Sequence, residues 1–159
     1  MATANQTIVD LLNEVLCAEL TAINQYFLHS EILADRGYER LHRVIRKDSI
    51  DEMKHAEQCI ERILFLKGLP NVQKLGNIRI GETVPEMLQS DMALEKEAIA
   101  RLRKGIAACR DAGDEGTRQL LDSILSSEEE HHDWLETQLR LIEELELTAY
   151  LAQQIKVEE

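Results

Sequence analysis

The sequence predicts an all-α protein in which four long helices form a bundle and a short fifth helix follows at the C-terminus. The 159-residue chain contains only seven glycines and two prolines and is rich in Glu, Leu, Ile, Ala and Lys, a composition typical of helical proteins. Apolar residues recur at the three- and four-residue spacing of an amphipathic helix. A chain of this length fits one domain, covering residues 1–159, with a proper core.

Breaks in the apolar periodicity give the helix bounds. The first helix stops before Gly37, and the second stops before Gly68 and Pro70, a common pattern at helix ends. Thr83 and Glu86 have the spacing of a capping box at the start of the third helix. The fourth follows the break at residues 112–116. The predicted helices cover about residues 6–34, 38–66, 83–111, 117–145 and 148–155.

The lengths of the linkers predict how the helices connect. The linkers after the first and third helices are short, so each joins antiparallel neighbours. The linker over residues 68–82 is long for a compact domain and suits a crossing of the whole bundle. Two helical hairpins joined by one long crossover is the ferritin-like arrangement. An ordinary up-and-down bundle with a floppy loop is the alternative.

Charge and cysteine content exclude several function classes. The formal net charge of −12 argues against a nucleic-acid or anionic-membrane partner, and no apolar run approaches the roughly 20 residues of a membrane span. The first six residues lack the features of a signal peptide. Cys17, Cys59 and Cys109 show no C-x-x-C pattern and are expected to be small buried side chains in a reducing compartment. We therefore expect a cytoplasmic protein.

Two Glu-x-x-His motifs supply candidate metal ligands, but the motif alone does not identify them. A glutamate precedes four of the five histidines at this spacing. Helical phase separates the four pairs. Glu39/His42 and Glu129/His132 lie on polar faces. The other two pairs lie on apolar stripes, as do two further glutamates on the remaining long helices, so the candidate ligands are Glu19, Glu52, His55, Glu95, Glu128 and His131.

Spacing and charge indicate that these six residues form a dinuclear site. Glu19 precedes Glu52 by 33 residues and Glu95 precedes Glu128 by 33, which predicts a pseudo-two-fold bundle. Four buried carboxylates would be driven toward protonation unless cations compensate them. Two divalent ions supply four positive charges, and oxygen-rich ligands with one imidazole per metal favour iron or manganese and argue against a thiolate zinc site. This ligand set is the known one of di-iron and di-manganese carboxylate bundles.

Several longer stretches resemble the bacterioferritins over almost the whole chain. They are SIDEMKHA (49–56), IERILFL (60–66), ELTAINQYFLH (19–29), SEEEH (127–131) and WLETQL (134–139). The resemblance implies a ferroxidase that oxidises Fe(II) with O₂ or H₂O₂ and stores the mineral inside a 24-subunit cage. It makes the six residues the di-iron ligands, with Glu52 and Glu128 bridging. It also places Tyr26 near the centre as a hydrogen-bonding group, although the sequence itself equally suits Tyr26 as core packing.

The resemblance also implies a haem. Met53 lies one residue off the stripe of ligands and faces away from the bundle centre, and such a methionine is usually a packing residue. In bacterioferritins the methionine of this Asp-Glu-Met motif is the axial haem ligand. A two-fold dimer would bring Met53 of both chains to one haem b, giving one haem per two subunits. Haem ligated by thioethers suits an electron relay for iron release, with a ferredoxin-type donor.

A few positions depart from the family pattern. Lys47 stands where some members carry a histidine that, with the acidic residue at Asp51, holds iron on the cavity wall. Arg36 stands where Trp is common, and Cys59 where certain members have Tyr. These changes bear on how electrons are supplied but leave the six ligands intact. We treat the remaining histidines, His29, His42 and His132, as structural or solvated.

Some alternatives remain open from sequence. The same bundle could be a monomeric or dimeric di-iron oxygenase or peroxidase, which would form no cage. A non-catalytic acidic helical interaction protein is a rival of another class. The cage could consist of this chain only or be mixed with a second subunit type.

Overall fold

A computed structural model describes residues 3–155, which contain five α-helices and no strand. The helices are α1 (Ala4–Asp35), α2 (Glu39–Phe65), α3 (Val84–Ala112), α4 (Glu115–Leu145) and α5 (Leu147–Ala152). α1 pairs with α2, α3 pairs with α4, and the hairpins meet through α1 against α3 and α2 against α4. The predicted ferritin-like topology is confirmed. Within residues 3–155 no helix has both the length and the apolar character that a bilayer crossing requires.

Local hydrogen bonds explain where the helices begin and end. The capping box is present at the start of α3, where Glu86 N donates to Thr83 Oγ1 and Thr83 N donates to Glu86 Oε2. α4 begins at Glu115 and not near residue 117, because Asp114 Oδ1 accepts from Thr117 N at 3.0 Å and caps the helix earlier. α5 ends at Ala152 and not near residue 155, because residues 153–155 leave the helix in a turn.

A polar layer divides the apolar core into two clusters. One cluster fills the end of the bundle near the start of α1, with fully buried members Leu12, Leu16, Ile63, Leu102 and Leu121. The other fills the opposite end, where α5 covers the bundle, with buried members Leu33, Leu41, Leu88, Leu135 and Tyr150. On each long helix the predicted ligands lie between the residues of the two clusters. The candidate site is therefore held at mid-height between two packed apolar halves.

The crossover segment, residues 66–83, is irregular but is fixed to α1 by its backbone. Four polar side chains on one face of α1 accept hydrogen bonds from backbone N–H groups of the crossover, and we call these four the α1 polar ridge. The acceptors are Asn13, Thr21, Gln25 and His29, and the donors are Asn71 (2.8 Å), Gly76 (2.8 Å), Arg79 (2.9 Å) and Gly81 (3.0 Å), in that order. The ridge makes the crossover a defined wall of the bundle and not a floppy loop.

Candidate metal centre

The six predicted ligands converge on one buried position from all four long helices. α1 supplies Glu19, α3 supplies Glu95, and α2 and α4 each supply a Glu-x-x-His pair, because residues three apart lie on one face of a helix. All six side chains are buried, with exposed fractions between 0% (Glu52) and 8% (His55). The structure therefore brings together every residue that the helical phase selected.

One group of possible ligand atoms surrounds His55. Its Nδ1 lies 2.9 Å from Glu128 Oε1, 3.1 Å from Glu52 Oε2 and 3.6 Å from Glu19 Oε2. These four residues offer ligand atoms that all lie within 4.8 Å of one another. Three carboxylates and one imidazole at this separation can surround a single divalent cation.

A second group surrounds His131. Its Nδ1 lies 2.9 Å from Glu52 Oε1 and 3.4 Å from Glu95 Oε1, and Glu128 completes the group within the same 4.8 Å limit. Glu52 and Glu128 belong to both groups. Glu52 approaches one imidazole with each of its oxygens. The geometry is that of two adjacent cation sites that share two carboxylates.

Several buried polar atoms in this centre make no hydrogen bond of normal geometry, although two carboxylate oxygens among them each lie 2.9 Å from an imidazole nitrogen. Within residues 3–155 these are Glu52 Oε1, Glu95 Oε2, Glu128 Oε1 and His131 Nδ1, with Asp91 Oδ2 nearby in sequence. An unsatisfied buried polar atom costs free energy of about 1–3 kcal/mol, and native proteins contain few of them. Their concentration among the six residues fits bound cations, which would give all four a partner.

Burial and mutual repulsion shift the pKa values of the acidic groups. Burial, followed by the charge of Glu52, raises the pKa of Glu19 and Glu128 well above the usual range of a glutamate. Burial also acts to raise the pKa of Glu52, but the nearby Glu19, His131 and His55 lower it overall. Burial acts to lower the pKa of His131, yet the adjacent Glu52 and Glu95 raise it to about 11. Protonation therefore offsets part of the repulsion among these carboxylates when no cation is bound.

Binding of divalent cations should therefore release protons, because carboxylate and imidazole ligands bind metals in their deprotonated forms. Raised pKa values for Glu19, Glu128 and His131 mean that the release is present at neutral pH, and that cation affinity rises with pH as these groups lose their protons. Calorimetric titration with Co(II), repeated in buffers of different ionisation enthalpy, measures the protons released per chain. Binding without proton release, or affinity that falls as pH rises, would contradict this assignment.

A hydrogen-bond network lies next to the centre on the α1–α3 side. The Tyr26 hydroxyl donates to Glu95 Oε1, so Tyr26 contacts a predicted ligand. One turn away, Asp91 Oδ1 accepts from Gln25 Nε2 at 2.8 Å and from His29 Nδ1 at 2.8 Å. Because Gly81 N donates to His29 Nε2, the proton of this neutral imidazole is on Nδ1. The network joins the centre to the crossover.

The sequence-based predictions did not include Asp91 and Gln25, and they gave His29 as structural or solvated; its side chain is buried and hydrogen-bonded, which makes it structural. A signal was available in helical phase. Asp91 precedes Glu95 by four residues on the same apolar stripe of α3, and its exposed fraction is 1%. A buried carboxylate at such a position requires donors, and α1 supplies them.

A further acidic pair fixes the other side of the His131 ring. His131 Nε2 lies 3.2 Å from Asp51 Oδ2 and 3.4 Å from Asp48 Oδ1. Lys47 Nζ lies 2.8 Å from Asp51 Oδ2, so the lysine at this departure from the family pattern is paired with Asp51. Burial raises the pKa of Asp48 to about 7. Carboxylates on Nε2 orient the ring with Nδ1 toward Glu52, as partners of metal-ligating imidazoles commonly do.

The two rejected Glu-x-x-His pairs do not approach the centre. His42 Nδ1 donates to Ser30 O at 2.7 Å, between α1 and α2. His132 is partly exposed and lies 3.7 Å from Glu136 on the outside of α4. Helical phase separated these pairs from the buried ones correctly.

Met53 lies on the outer surface of α2, away from the centre, with an exposed fraction of 56%. Ile50, Ile60 and Leu64 lie on the same stripe of α2, and Leu64 is 53% exposed. A soft thioether that projects from the surface beside partly exposed apolar side chains suits an apolar cofactor with a metal ion, so these residues fit a haem.

The centre has an opening on each of two opposite sides. A cavity of about 300 Å³ lies between α1, α3 and the crossover, and Glu19 and Glu128 form part of its lining. A depression of about 220 Å³ lies between α2 and α4, and its lining includes Asp51 and His55. Of the six residues, Glu19 and Glu128 therefore border the first opening and His55 borders the second.

Comparison with known proteins gives consistent relatives. The sequence matches the family model of the ferritin-like domain over residues 9–145. It is 48% identical to a bacterioferritin of Mycobacterium bovis over 146 residues, which cover 92% of each chain. It is 49% identical to a bacterioferritin of Streptomyces coelicolor over 91% of this chain and 87% of the relative. The identity to a bacterioferritin of Brucella melitensis is 44%, over 85% and 84% of the two chains.

Proposed function

Because the chain belongs to the bacterioferritin family of ferritin-like proteins, we propose that it stores iron and detoxifies Fe(II) by oxidising it. In this proposal the protein is a ferroxidase, with O₂ or H₂O₂ as acceptor, and the Fe(III) mineral is kept inside a cage of 24 subunits. The observation that carries the proposal is the pair of carboxylate–imidazole groups that share Glu52 and Glu128.

The six residues bind the substrate iron in three pairs. Glu19 and His55 hold one Fe(II), and Glu95 and His131 hold the other. Glu52 and Glu128 bridge the two ions, which is supported by their membership of both groups. Four carboxylates balance the charge of two Fe(II) ions, so a filled centre is neutral and its burial is no longer costly. Tyr26 holds the Glu95 carboxylate in place through its hydrogen bond.

Two Fe(II) ions bound side by side supply a pair of electrons in one encounter. With O₂ and two protons the products are two Fe(III) ions and H₂O₂, and with H₂O₂ and two protons they are two Fe(III) ions and two waters. The two electrons leave together, so the acceptor is reduced without release of a one-electron oxygen radical. That pairing is the chemical benefit of two adjacent cation sites.

The two openings suggest a direction for iron movement. Fe(II) arrives through the cavity between α1, α3 and the crossover, whose lining includes Glu19 and Glu128. Fe(III) leaves on the α2–α4 side past Asp51, toward an acidic cage interior. Whether Fe(III) moves on or stays as a bound pair that cycles depends on how tightly Glu52 and Glu128 hold it.

Anaerobic titration tests the proposed ferroxidase. Fe(II) should bind at two ions per chain, and exposure to O₂ or H₂O₂ should oxidise both in a fast phase. Native mass of the purified protein should correspond to 24 chains. A monomer or dimer that still oxidises Fe(II) would favour a di-iron oxygenase or peroxidase, and a protein that binds no Fe(II) would be left as an acidic helical interaction protein.

The proposal also includes haem b, with a stoichiometry of one haem per two subunits. Met53 of each chain in a two-fold dimer would hold the haem iron, since a two-fold interface presents the same residue twice. Bound haem supplies a one-electron carrier between the outer surface and the stored mineral. The exposed apolar stripe with Ile50, Ile60 and Leu64 would then be covered by haem and the partner subunit. We place the protein in the cytoplasm, with a ferredoxin-type electron donor for iron release.

Replacing Met53 by leucine should remove the haem without affecting the di-iron centre. Leucine keeps the apolar surface but has no sulfur to bind haem iron. The haem content, measured by the pyridine haemochrome assay, should fall from one haem per two chains to almost none. Anaerobic Fe(II) binding should stay at two ions per chain. Met92→Leu is the control, because it makes the same chemical change at a half-buried position on α3, away from the α2 surface that carries Met53. Full haem content in the Met53 variant would overturn the assignment.

A further inference from the structure

The cavity between α1, α3 and the crossover brings a thiol close to the buried carboxylates. Its volume is about 300 Å³, and its lining includes Cys17, Thr21, Arg79, Glu97, Glu19 and Glu128. Cys17 and Glu19 lie two residues apart on α1. A molecule that approaches Glu19 from this side therefore passes through a space that Cys17 helps to form.

Cys17 differs from the other two cysteines. All three are free thiols, but Cys59 and Cys109 are fully buried, whereas Cys17 is half-buried. Burial raises the pKa of Cys59 to about 12 and that of Cys109 to about 11, so these thiols stay protonated and unreactive. The prediction of three buried thiols is thus wrong for Cys17, which lines an open cavity.

An independent feature of the same cavity points to a ligand. Glu128 also lines it, is 98% buried, and has an Oε1 atom that makes no hydrogen bond of normal geometry, although His55 Nδ1 lies 2.9 Å away. A carboxylate oxygen in this position can receive a cation that arrives through the cavity. Cys17 therefore lies on a route that ends at an unsatisfied acceptor.

The walls of the cavity have little freedom to move apart. Thr21 and Gln25 of the α1 polar ridge fix the crossover at Gly76 and Arg79. Arg79 Nη2 also lies 2.8 Å from Glu97 Oε1, which joins the crossover to α3 across the cavity. A group added to Cys17 would then occupy the cavity beside a crossover that these contacts hold to α1 and α3.

We propose that Cys17 is a modification site at which small thiol-reactive molecules, of the class of low-molecular-weight disulfides, control cation passage to the six-residue centre. The thiol loses its proton to solvent and its sulfur attacks one sulfur of the reagent. A new S–S bond joins the adduct to Cys17 while the other half leaves as a thiolate. Reduction by an added thiol reverses the step. This inference rests on the proposed cation centre and adds a means of regulating it.

The test uses two methanethiosulfonates that differ in the size of the group they transfer. Each forms a disulfide with Cys17 and releases methanesulfinate, adding either a methylthio or a benzylthio group. Peptide mass spectrometry of the native protein should find the label on Cys17 and not on Cys59 or Cys109. The readout is the rate of Co(II) uptake followed by stopped-flow absorbance, which requires no iron oxidation.

The benzylthio adduct should slow Co(II) uptake at least about tenfold, whereas the methylthio adduct should slow it less than about threefold, because restricted access lowers association rates. Equilibrium Co(II) stoichiometry should be unchanged, and dithiothreitol should restore the rate. Cys17→Ser treated with the same reagents should take up Co(II) equally fast before and after treatment.

Other outcomes would overturn the proposal in identifiable ways. Failure of Cys17 to react in the native protein, an unchanged uptake rate with the benzylthio group, or a loss of Co(II) stoichiometry each contradicts a control on passage. Failure of the proposed ferroxidase is a separate result: unlabelled protein takes up Co(II) but does not oxidise Fe(II). In that case the labelled protein still decides whether Cys17 controls passage.

Discussion

Replacing Glu52 by glutamine should abolish the fast phase of Fe(II) oxidation and leave the fold intact. Glutamine keeps the shape of the side chain but removes the charge on the one residue that approaches both imidazoles. Changes at groups that only support a metal ligand typically cost 10–100-fold in metal affinity or activity, so loss of a ligand shared by both cation sites should cost at least about 100-fold. Stopped-flow absorbance after mixing with O₂ measures the rate.

Glu129→Gln is the matched control for this substitution. Glu129 belongs to the Glu-x-x-His pair that helical phase assigned to the outside of α4, and its side chain is exposed. The same change of charge at that position should leave the rate and the stoichiometry of two Fe(II) per chain unaltered. Equal rates for wild type and Glu52→Gln would show that oxidation occurs elsewhere.

Replacing Asp91 by alanine should lower the free energy of unfolding by about 3 kcal/mol, because two buried donors lose their acceptor. Gln25 Nε2 and His29 Nδ1 both donate to Asp91 Oδ1, and neither has access to water at its buried position. The loss should be measured by urea denaturation of the metal-free protein, where cation binding does not add to stability.

Asp91→Asn separates the hydrogen bonds from the charge. The asparagine carbonyl can still accept from Gln25 and His29, so this variant should lose only about 1 kcal/mol, because hydrogen bonds to a neutral acceptor are weaker than those to a carboxylate. If the alanine variant were as stable as the asparagine variant, the network would not hold α1, α3 and the crossover together. The rate of fast Fe(II) oxidation should fall less in the Asp91 variants than in Glu52→Gln. Asp91 acts on Glu95 only indirectly, through the backbone of α3 and through Tyr26.

Much of the fold could be predicted because its determinants are local or periodic. Seven glycines and two prolines in a long chain leave few places where helices can stop. The short and long linkers then allow few topologies. The six candidate ligands were found by the same periodicity, because a glutamate on an apolar stripe is conspicuous once the helical phase is known. The equal 33-residue separations then indicated that the two helical hairpins present their glutamates at matching positions, which the periodicity of a single helix cannot show.

What could not be predicted depends on contacts between segments distant in sequence. The donors to Asp91 come from α1, more than 60 residues away. Cys17 has the spacing of a core residue, but the irregular crossover leaves a cavity beside it. The early start of α4 depends on the side chain of Asp114 alone. The sequence of residues 112–116 contains two glycines and two acidic residues, and it does not indicate which of them caps the helix. In each case the missing information is three-dimensional.

The way in which the crossover is held has a consequence for protein engineering. The α1 polar ridge recognises backbone N–H groups of the crossover, so most of the side chains in residues 69–80 make no contribution to the attachment and point outward. Such a segment tolerates changes at most of these exposed side chains, provided that Gly81 is kept, because a Cβ there would clash with the backbone nitrogen of Met87. Proline must also not remove an N–H group at Asn71, Gly76 or Arg79. A foreign peptide of matching length could therefore replace this segment, and the proposed 24-subunit cage would then display many copies of it.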